Sequence, residues 1–405
     1  MYLKLPAKVT RIIHTLQAHG HEAYAVGGCV RDTVLGRVPD DWDITTSARP
    51  LEVKKLFTRT VDTGLVHGTV TVLLGEDGYE VTTYRIDGKY EDHRHPSQVQ
   101  FSAELAEDLR RRDFTINAMA YNQEQGLVDL FGGMDDLQKK RICCVGEARE
   151  RFQEDALRIL RAVRFSAQLG FSIEARTEEA LQELSGDLAY VSAERIRVEL
   201  VKLLGSGHPE YILRLFDLGI ARVVLPEMEE NGSGIKREVL EDAAGRLVQV
   251  PQEEPISLRL ALFLHPLGEQ TCRKVLRRLK FDNRTIDTVR RLVRWYGHPL
   301  GTTPAEVRQT AAQIGAGLFP MVLQIQGTYR DVAVARALWD EICKKNECIS
   351  LKDMCISGDD LIQLGMEPGR AVGAMLAELF QEVLKEPARN TRAYLSESVK
   401  RKLGQ

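Results

Sequence analysis

The chain opens with apolar residues spaced three and four apart: VTRIIHTLQAHG has the period of an amphipathic helix and stops at Gly20. AYAVGG, which follows, is a short apolar run of the kind a buried strand makes. GTVTVLL (68–74) and YEVTTYR (79–85) are rich in β-branched and aromatic residues and flank the turn sequence GEDG, which predicts a hairpin. DGKYEDHRHP (87–96) is polar, has a glycine near its start and a proline at its end, and reads as a loop. From about residue 148 the pattern turns helical: EDALRILRAVRFSAQLG, SAERIRVELVKLLG, EYILRLFDLG and ISLRLALFLH share the three-and-four spacing, and several stop at glycine. Prolines 251, 255, 299, 304 and 320 punctuate this region. The prediction is an α+β protein: a head mixing helices and strands, then a long all-α remainder without internal repeats.

At 405 residues the chain exceeds one ordinary core and predicts several domains. A hydrophobic content of 43% with 28% charged residues is that of a folded soluble protein. No stretch approaches the ~20 apolar residues of a membrane helix, and MYLKLPAKVTRII has no signal-like apolar core, so a cytoplasmic protein with no membrane partner is expected. The seven cysteines form no C-x-x-C pair and no zinc spacing, which predicts reduced thiols. A net charge of −3 gives no bulk sign of a nucleic-acid partner, so any such reading rests on local clusters. Arg110, Arg111 and Arg112 are consecutive, and residues 273–294 carry nine Lys/Arg against two Asp. A basic stretch of this kind is also what an ordinary solvated helix face looks like.

The stretch VGGCVRDTVLGRVPDDWDITT (26–46) carries the chemistry. In an extended strand Asp41 and Asp43 face one side, with Trp42 and Asp40 on the other. Two hard anionic donors side by side suit Mg²⁺, which is often shared between carboxylates and substrate phosphates. Gly27 and Gly28 allow close approach of backbone to phosphate, and Arg31 can neutralise triphosphate charge. Glu80, in YEVTTYR, becomes a third carboxylate if its strand neighbours that of Asp43. Three carboxylates and two Mg²⁺ ions suit an in-line phosphoryl or nucleotidyl transfer.

GGCVRD, DDWD, LRRRDFTINAMAY, FGGMDDL and EDALRILRAVRF occur in this order, and together they resemble the class II tRNA nucleotidyltransferases, the CCA-adding enzymes and their poly(A) polymerase relatives. ISGDDLIQLGMEPGRAVG and VLKEPARNT, near the end, resemble the tail of CCA-adding enzymes from Gram-positive bacteria. The resemblance implies a polymerase-β-like head with a mixed sheet and an elongated arrangement: head 1–145, helical neck 146–206, body 207–300 and tail 301–405. It implies addition of C, C and A to the 3′ end of tRNA from CTP and ATP, without a template and with release of pyrophosphate. It assigns Asp41 and Asp43 to metal binding and catalysis, Gly28 and Arg31 to the nucleotide, Arg112 to phosphate, and Asp113 and Asn117 to ribose. No protein partner is implied, and a homodimer stays open.

Base choice has a hydrogen-bond logic. On a continuous helix Asp155 and Arg158 would share a face. Cytosine and adenine both offer an amino donor beside a ring-nitrogen acceptor, which an Asp acceptor and an Arg donor satisfy; uracil and guanine reverse that polarity. The resemblance gives Asp155 and Arg158 this role and makes Arg161 and Arg164 further nucleotide contacts. DGKYEDHRHP is close to a family loop pattern that enzymes adding only CC lack, with His95 where some relatives have arginine. An A-only enzyme, a poly(A) polymerase and a non-catalytic RNA-binding relative remain as alternatives. LRLALFLHPLGEQ (258–270) echoes a phosphohydrolase signature, but Pro266 stands where that metal site needs aspartate, so His265 is expected to pack. The basic residues of 273–294 are the expected tRNA surface.

Overall fold

The computed structural model describes residues 2–87, 99–229 and 234–404. They form two compact units, 1–235 and 236–405.

In the first unit, helix α1 (Ala7–Ala18) buries Val9, Ile12, Ile13 and Leu16, the stripe its spacing predicts. Gly20, at φ +82°, turns the chain into strand β1 (Ala23–Val26), which is buried throughout. The remaining strands of the main sheet are β2 (Ile44–Thr46), β3 (Thr60–Gly64), β4 (Thr69–Leu74), β5 (Asp77–Thr83), β8 (Met119–Asn122) and β9 (Gly126–Asp129). Between β5 and β8 in the chain, β6 (Arg85–Asp87) and β7 (Val99–Phe101) pair separately. The seven-stranded sheet runs β3-β4-β5-β2-β1-β8-β9 and is mixed, because β2 lies parallel to β5 while the other pairs are antiparallel. β1 lies inside this sheet, between β2 and β8, and is buried throughout, which explains why AYAV is apolar without alternation. The predicted hairpin is β4–β5: Leu74 pairs with Asp77 around Gly75, at φ +72°.

Helices α2 (Gly28–Val34), α3 (Pro50–Leu56), α4 (Leu105–Arg110) and α5 (Gly133–Gln138) decorate the sheet region. Beyond the two-residue strand β10 (Arg141–Ile142) come α6 (Ala148–Glu154) and α7 (Leu157–Leu169). Strand β11 (Ser172–Ile173), parallel to β10, leads to α8 (Ala175–Glu183) and α9 (Ala193–Leu204). The unit closes with three four-residue helices, α10 (Arg214–Asp217), α11 (Ala221–Val224) and α12 (Pro226–Glu229).

Three sequence expectations need correction here. Asp41, Trp42 and Asp43 precede β2 instead of lying within a strand. EDALR is not one helix: α6 ends at Glu154 and Asp155 is extended, with φ −143° and ψ 100°. EYILRLFDLG, expected as a regular helix, is a 3₁₀ turn (Pro209–Leu213) followed by one turn of α-helix. Apart from Asp87, the loop DGKYEDHRHP, with its His95, lies outside the described residues.

The second unit contains only helices and turns among its described residues, beginning with α13 (Arg237–Leu247) and α14 (Ile256–Leu264). Its basic stretch forms α15 (Gly268–Arg278) and α16 (Asn283–Trp295), parted by a bend at Lys280 with φ +58°. Asp282 caps α16 by accepting from Thr285 N.

Candidate active site

The acidic stretch is fixed by its neighbour strand. Val26 N donates to Asp43 O at 3.0 Å, which holds the chain extended and beside β1 just before β2 begins. Ile44 then pairs with Val81, so the same parallel register taken one residue back sets Asp43 beside Glu80. A cavity of about 630 Å³ is bordered by Asp40, Asp41, Asp43, Glu76, Asp77 and Glu80. Asp40 belongs to this border rather than to an opposite strand face, because the chain bends there instead of running straight into the strand. A second cavity, of about 220 Å³, is lined by both signs of charge, Asp43 and Glu80 together with Arg85, Arg111 and Arg112.

Two carboxyls of this cluster, Asp43 and Glu80, are held where their charged form is disfavoured. Asp43 has exposed surface, yet protein crowds its carboxyl: burial pushes its pKa up, the Arg112 guanidinium opposes the rise, and Asp41 adds to it. Burial also raises Glu80, and the charges of Asp43 and Asp41 raise it further. A bound dication would relieve both repulsions, so the donor set fits hard-metal binding. Among the described residues no three His, Cys, Asp or Glu side chains form a ready-made cage. Mg²⁺ does not require one, because it is commonly held by one or two carboxylates, substrate phosphates and water.

Beside the acids lies a basic cradle. Gly27 has φ +83°, and a Cβ there would stand 3.0 Å from Arg112 Nη1, so this position requires glycine. Gly28 is the first residue of α2, and a Cβ added to it would lie 3.6 Å from an Arg31 nitrogen. Arg31 is buried, forks onto Asp32 and donates to Asn117 Oδ1 at 2.6 Å. Asp108, fully buried, accepts from Arg111 at 2.6 and 2.9 Å, from Arg112 at 3.1 Å and from Thr45 Oγ1 at 3.1 Å. Burial alone would raise the Asp108 pKa, but the two guanidiniums hold it below the ordinary range. Arg112 Nε is buried without a hydrogen-bond partner among the described residues, an unused donor next to Gly27.

The LRRRDFTIN segment continues into a second network. Asp113 accepts from Phe114 N and Asn117 Nδ2 through one oxygen, and from Arg161 Nε and Nη2, at 2.8 and 2.6 Å, through the other. Burial would raise its pKa, yet Arg161, Asn117 and Arg158 hold it far below the usual carboxylate range. Arg164 donates to Glu199 at 2.7 Å and lies 3.6 Å over the Phe165 ring; burial lowers its pKa to about 10. Arg31 and Arg161 also approach that ring, at 5.0 and 5.2 Å. Thus Arg31, Asn117, Asp113, Arg161 and Arg164 form one connected group around Phe165.

Asp155 and Arg158 are placed differently from the expectation. Because the helix breaks between them, they do not share a continuous helix face. Asp155 accepts from Leu157 N at 3.1 Å and from Arg195 Nη2 at 2.7 Å. Arg158 donates to Glu154 at 2.6 Å and to the carbonyls of Arg151 and Arg111. The sequence reading did not assign Arg111, Asp108, Phe165, Arg195 or Glu199. Arg111 lies within the motif LRRRDFTINAMAY and Asp108 directly before it, so both could have been found there, whereas Arg195 and Glu199 lie about forty residues beyond the residues they contact.

In the second unit His265 packs as expected: it stacks on Tyr296 with centroids 3.7 Å apart and hydrogen-bonds Leu262 O through Nδ1, and burial lowers its pKa. The basic helices are partly neutralised within the unit. Arg290 pairs with Glu269 and Asp287, and Arg291 contacts Ile314 O and Asp287, so these two belong to the packing; Lys274, Arg277 and Arg284 are exposed.

Family models match three successive segments: the poly A polymerase head domain over 23–143, a probable RNA and SrmB-binding site of polymerase A over 170–231, and a putative tRNA nucleotidyltransferase domain 2 over 253–399. The CCA-adding enzyme of Latilactobacillus sakei is 38% identical over 400 residues, covering 97% of this chain and 98% of its own. The Bacillus stearothermophilus CCA-adding enzyme in complex with CTP superposes with a TM-score of 0.83 at 30% identity, covering 99% of this chain and 98% of its own. The Thermotoga maritima CCA-adding enzyme complexed with tRNA shares the fold at 22% identity and a TM-score of 0.66, covering 98% of this chain and 96% of its own. By fold, by the order of its motifs and by these likenesses, the chain belongs to the CCA-adding enzymes, a family of nucleotidyltransferases.

Proposed function

We propose that the chain adds C, C and A to the 3′ end of tRNA from CTP and ATP, without a nucleic-acid template, in the cytoplasm where these substrates reside. The observation that carries this reading is a pair of cavities bordered by Asp41, Asp43, Glu80 and Arg112, with Gly27 directly against Arg112. In the reaction the tRNA 3′ hydroxyl attacks the α-phosphate, a new P–O bond forms and pyrophosphate departs. Arg31 and Arg112 neutralise the triphosphate and the charge that builds on the leaving group. Gly27 and Gly28 let backbone and guanidinium approach the phosphates. Asp113 and Asn117 orient the ribose. Asp41 and Asp43, with Glu80 beside them, would hold two Mg²⁺, which would activate the hydroxyl nucleophile and screen the departing pyrophosphate.

Base choice falls to residues 146–206. Asp155 accepts from the amino group of C or A and Arg158 donates to the ring nitrogen, while Arg161 and Arg164 support the nucleotide from the next turns. In the structure both members of the pair hold protein partners, so a bound base exchanges or shares those contacts. Residues 301–405 and the exposed face of α15 and α16 hold tRNA by backbone contacts, which lets one enzyme serve every tRNA. The test follows pyrophosphate release with tRNA lacking CCA. CTP plus ATP should support release and UTP plus GTP should not, and Asp41→Ala or Asp43→Ala should abolish it. Release by either aspartate variant at the parental rate would refute the assignment.

A further inference from the structure

We propose that Arg195, on α9, is a positioning residue for base selection: it holds the Asp155 carboxylate in the one orientation that penalises the wrong base. The proposal rests on Asp155 acting as the acceptor for the base. The Asp155 backbone still joins both helices, with its N donating to Arg151 O at 3.4 Å and its O accepting from Arg158 N at 2.9 Å, but its extended dihedrals at the break between α6 and α7 take its side chain off a continuous helix face. Its carboxylate has two anchors from different directions. One oxygen accepts from Leu157 N at 3.1 Å, at the start of α7; the other accepts from Arg195 at 2.7 Å. Both side chains are mostly withdrawn from solvent, at 19% and 24% exposure, so this contact is better ordered than an ordinary surface pair.

Rejection of uracil and guanine depends on that order. An ionised carboxylate carries acceptors only, with about two lone pairs on each oxygen, so both anchors can remain while a base amino group is accepted. A base that presents a carbonyl there leaves two acceptors face to face, and this is costly only if the carboxylate cannot turn away to water. The Leu157 contact alone leaves the second oxygen free to swing. The Arg195 contact, delivered from a separate helix, removes that freedom.

The same helix repeats the device one turn later. Glu199 stands four residues after Arg195, holds Arg164 at 2.7 Å and lies 3.9 Å from Arg161. Thus α9 offers a cation to the acidic selector and an anion to the basic residues that follow it, and sets the spacing of a pocket that EDALRILRAVRF alone cannot hold.

The experiment uses the full chain with tRNA ending at the discriminator base and measures kcat and KM separately for CTP and UTP. The variants are Arg195→Met, Arg195→Lys, Asp155→Ala and the Arg195→Met/Asp155→Ala double variant, each checked for an intact thermal transition. Arg195→Met should lower the CTP-to-UTP ratio of kcat/KM about tenfold, the worth of one charge-assisted hydrogen bond. Arg195→Lys should recover part of it, because a single nitrogen makes the contact, and the double variant should discriminate no worse than Asp155→Ala. A ratio within about twofold of the parent for Arg195→Met, with a collapsed ratio for Asp155→Ala, would overturn the role of Arg195 alone. An unchanged ratio for Asp155→Ala would overturn the base-acceptor reading and this inference with it.

Discussion

Replacing Arg161 by methionine isolates the two-pronged ion pair that it makes with the buried Asp113. Asp113 is 8% exposed at its side chain and receives both fork nitrogens of Arg161, while Arg161 is 32% exposed. Removing one partner of a buried pair typically costs 3–5 kcal/mol, whereas a surface pair is worth under about 1 kcal/mol. Two features favour the lower end of the buried range: Arg161 is one-third in solvent, and Asp113 keeps its bonds from Phe114 N and Asn117 Nδ2. The expected loss at pH 7 is therefore about 3 kcal/mol. For a unit spanning residues 1–235 this lowers the melting midpoint by about 6–12 °C. The effect has a pH signature as well. Asp113 is held below its unfolded-state pKa, so its stabilisation is complete above that value, near pH 4, and is lost as pH falls through the folded value. The deficit of Arg161→Met should accordingly shrink below pH 4. Paired thermal melts from pH 7 to pH 3 read both effects. A shift of less than about 3 °C at pH 7, or a deficit independent of pH, would show that Asp113 and Arg161 behave as a surface pair and refute the reasoning.

Three further predictions concern neighbouring parts of the molecule. Glu80 is raised by burial and by the charges of Asp43 and Asp41, so its ionised form opposes folding above its folded pKa; Glu80→Gln should melt higher than the parent in metal-free buffer at pH 7 while incorporation falls, and a lower melting point would contradict this. Gly27→Ala places a Cβ 3.0 Å from Arg112 Nη1 at a positive φ, so the KM for CTP and ATP should rise about tenfold or more; an unchanged KM would show that the cradle tolerates displacement of Arg112. Reversing the charge of Lys274, Arg277 and Arg284 should weaken tRNA binding and flatten its dependence on the logarithm of salt concentration by about one unit per lost phosphate contact, whereas an unaltered slope would remove this face from the tRNA surface.

How much of this could be read in the sequence varies with the range of the interactions. The head was legible because its signals are local: the apolar run AYAV, the GEDG turn and the stripe on α1 each reflect contacts that the pattern itself records. The pairing of Glu80 with the aspartates was less direct, since a parallel β2–β5 register joins segments nearly forty residues apart. The helical reading of EDALR failed for a physical reason. Asp155, favoured by sequence only weakly within a helix, instead turns its side chain to accept from Leu157 N, the first residue of α7, two residues on. Arg195 and Glu199 sit in SAERIRVELVKLL, which as a sequence is an ordinary amphipathic helix; only the packing of α9 on α7 gives their charges a destination. Arg290 and Arg291 illustrate the opposite error: a run of like charge suggests a free surface, yet intramolecular carboxylates and a helix-end carbonyl occupy both.

The most direct measurement of the account follows single tRNA 3′ ends. Transcripts ending at the discriminator base, at –C and at –CC are incubated with the protein, Mg²⁺ and all four nucleoside triphosphates, and the products are sequenced. All three starts should converge on –CCA, with neither U nor G incorporated and no extension beyond the terminal A. Extension of the –CC transcript alone, by one A, would instead identify an A-adding enzyme; a long A tail on any of the three would identify a poly(A) polymerase, and either result would contradict the proposed function.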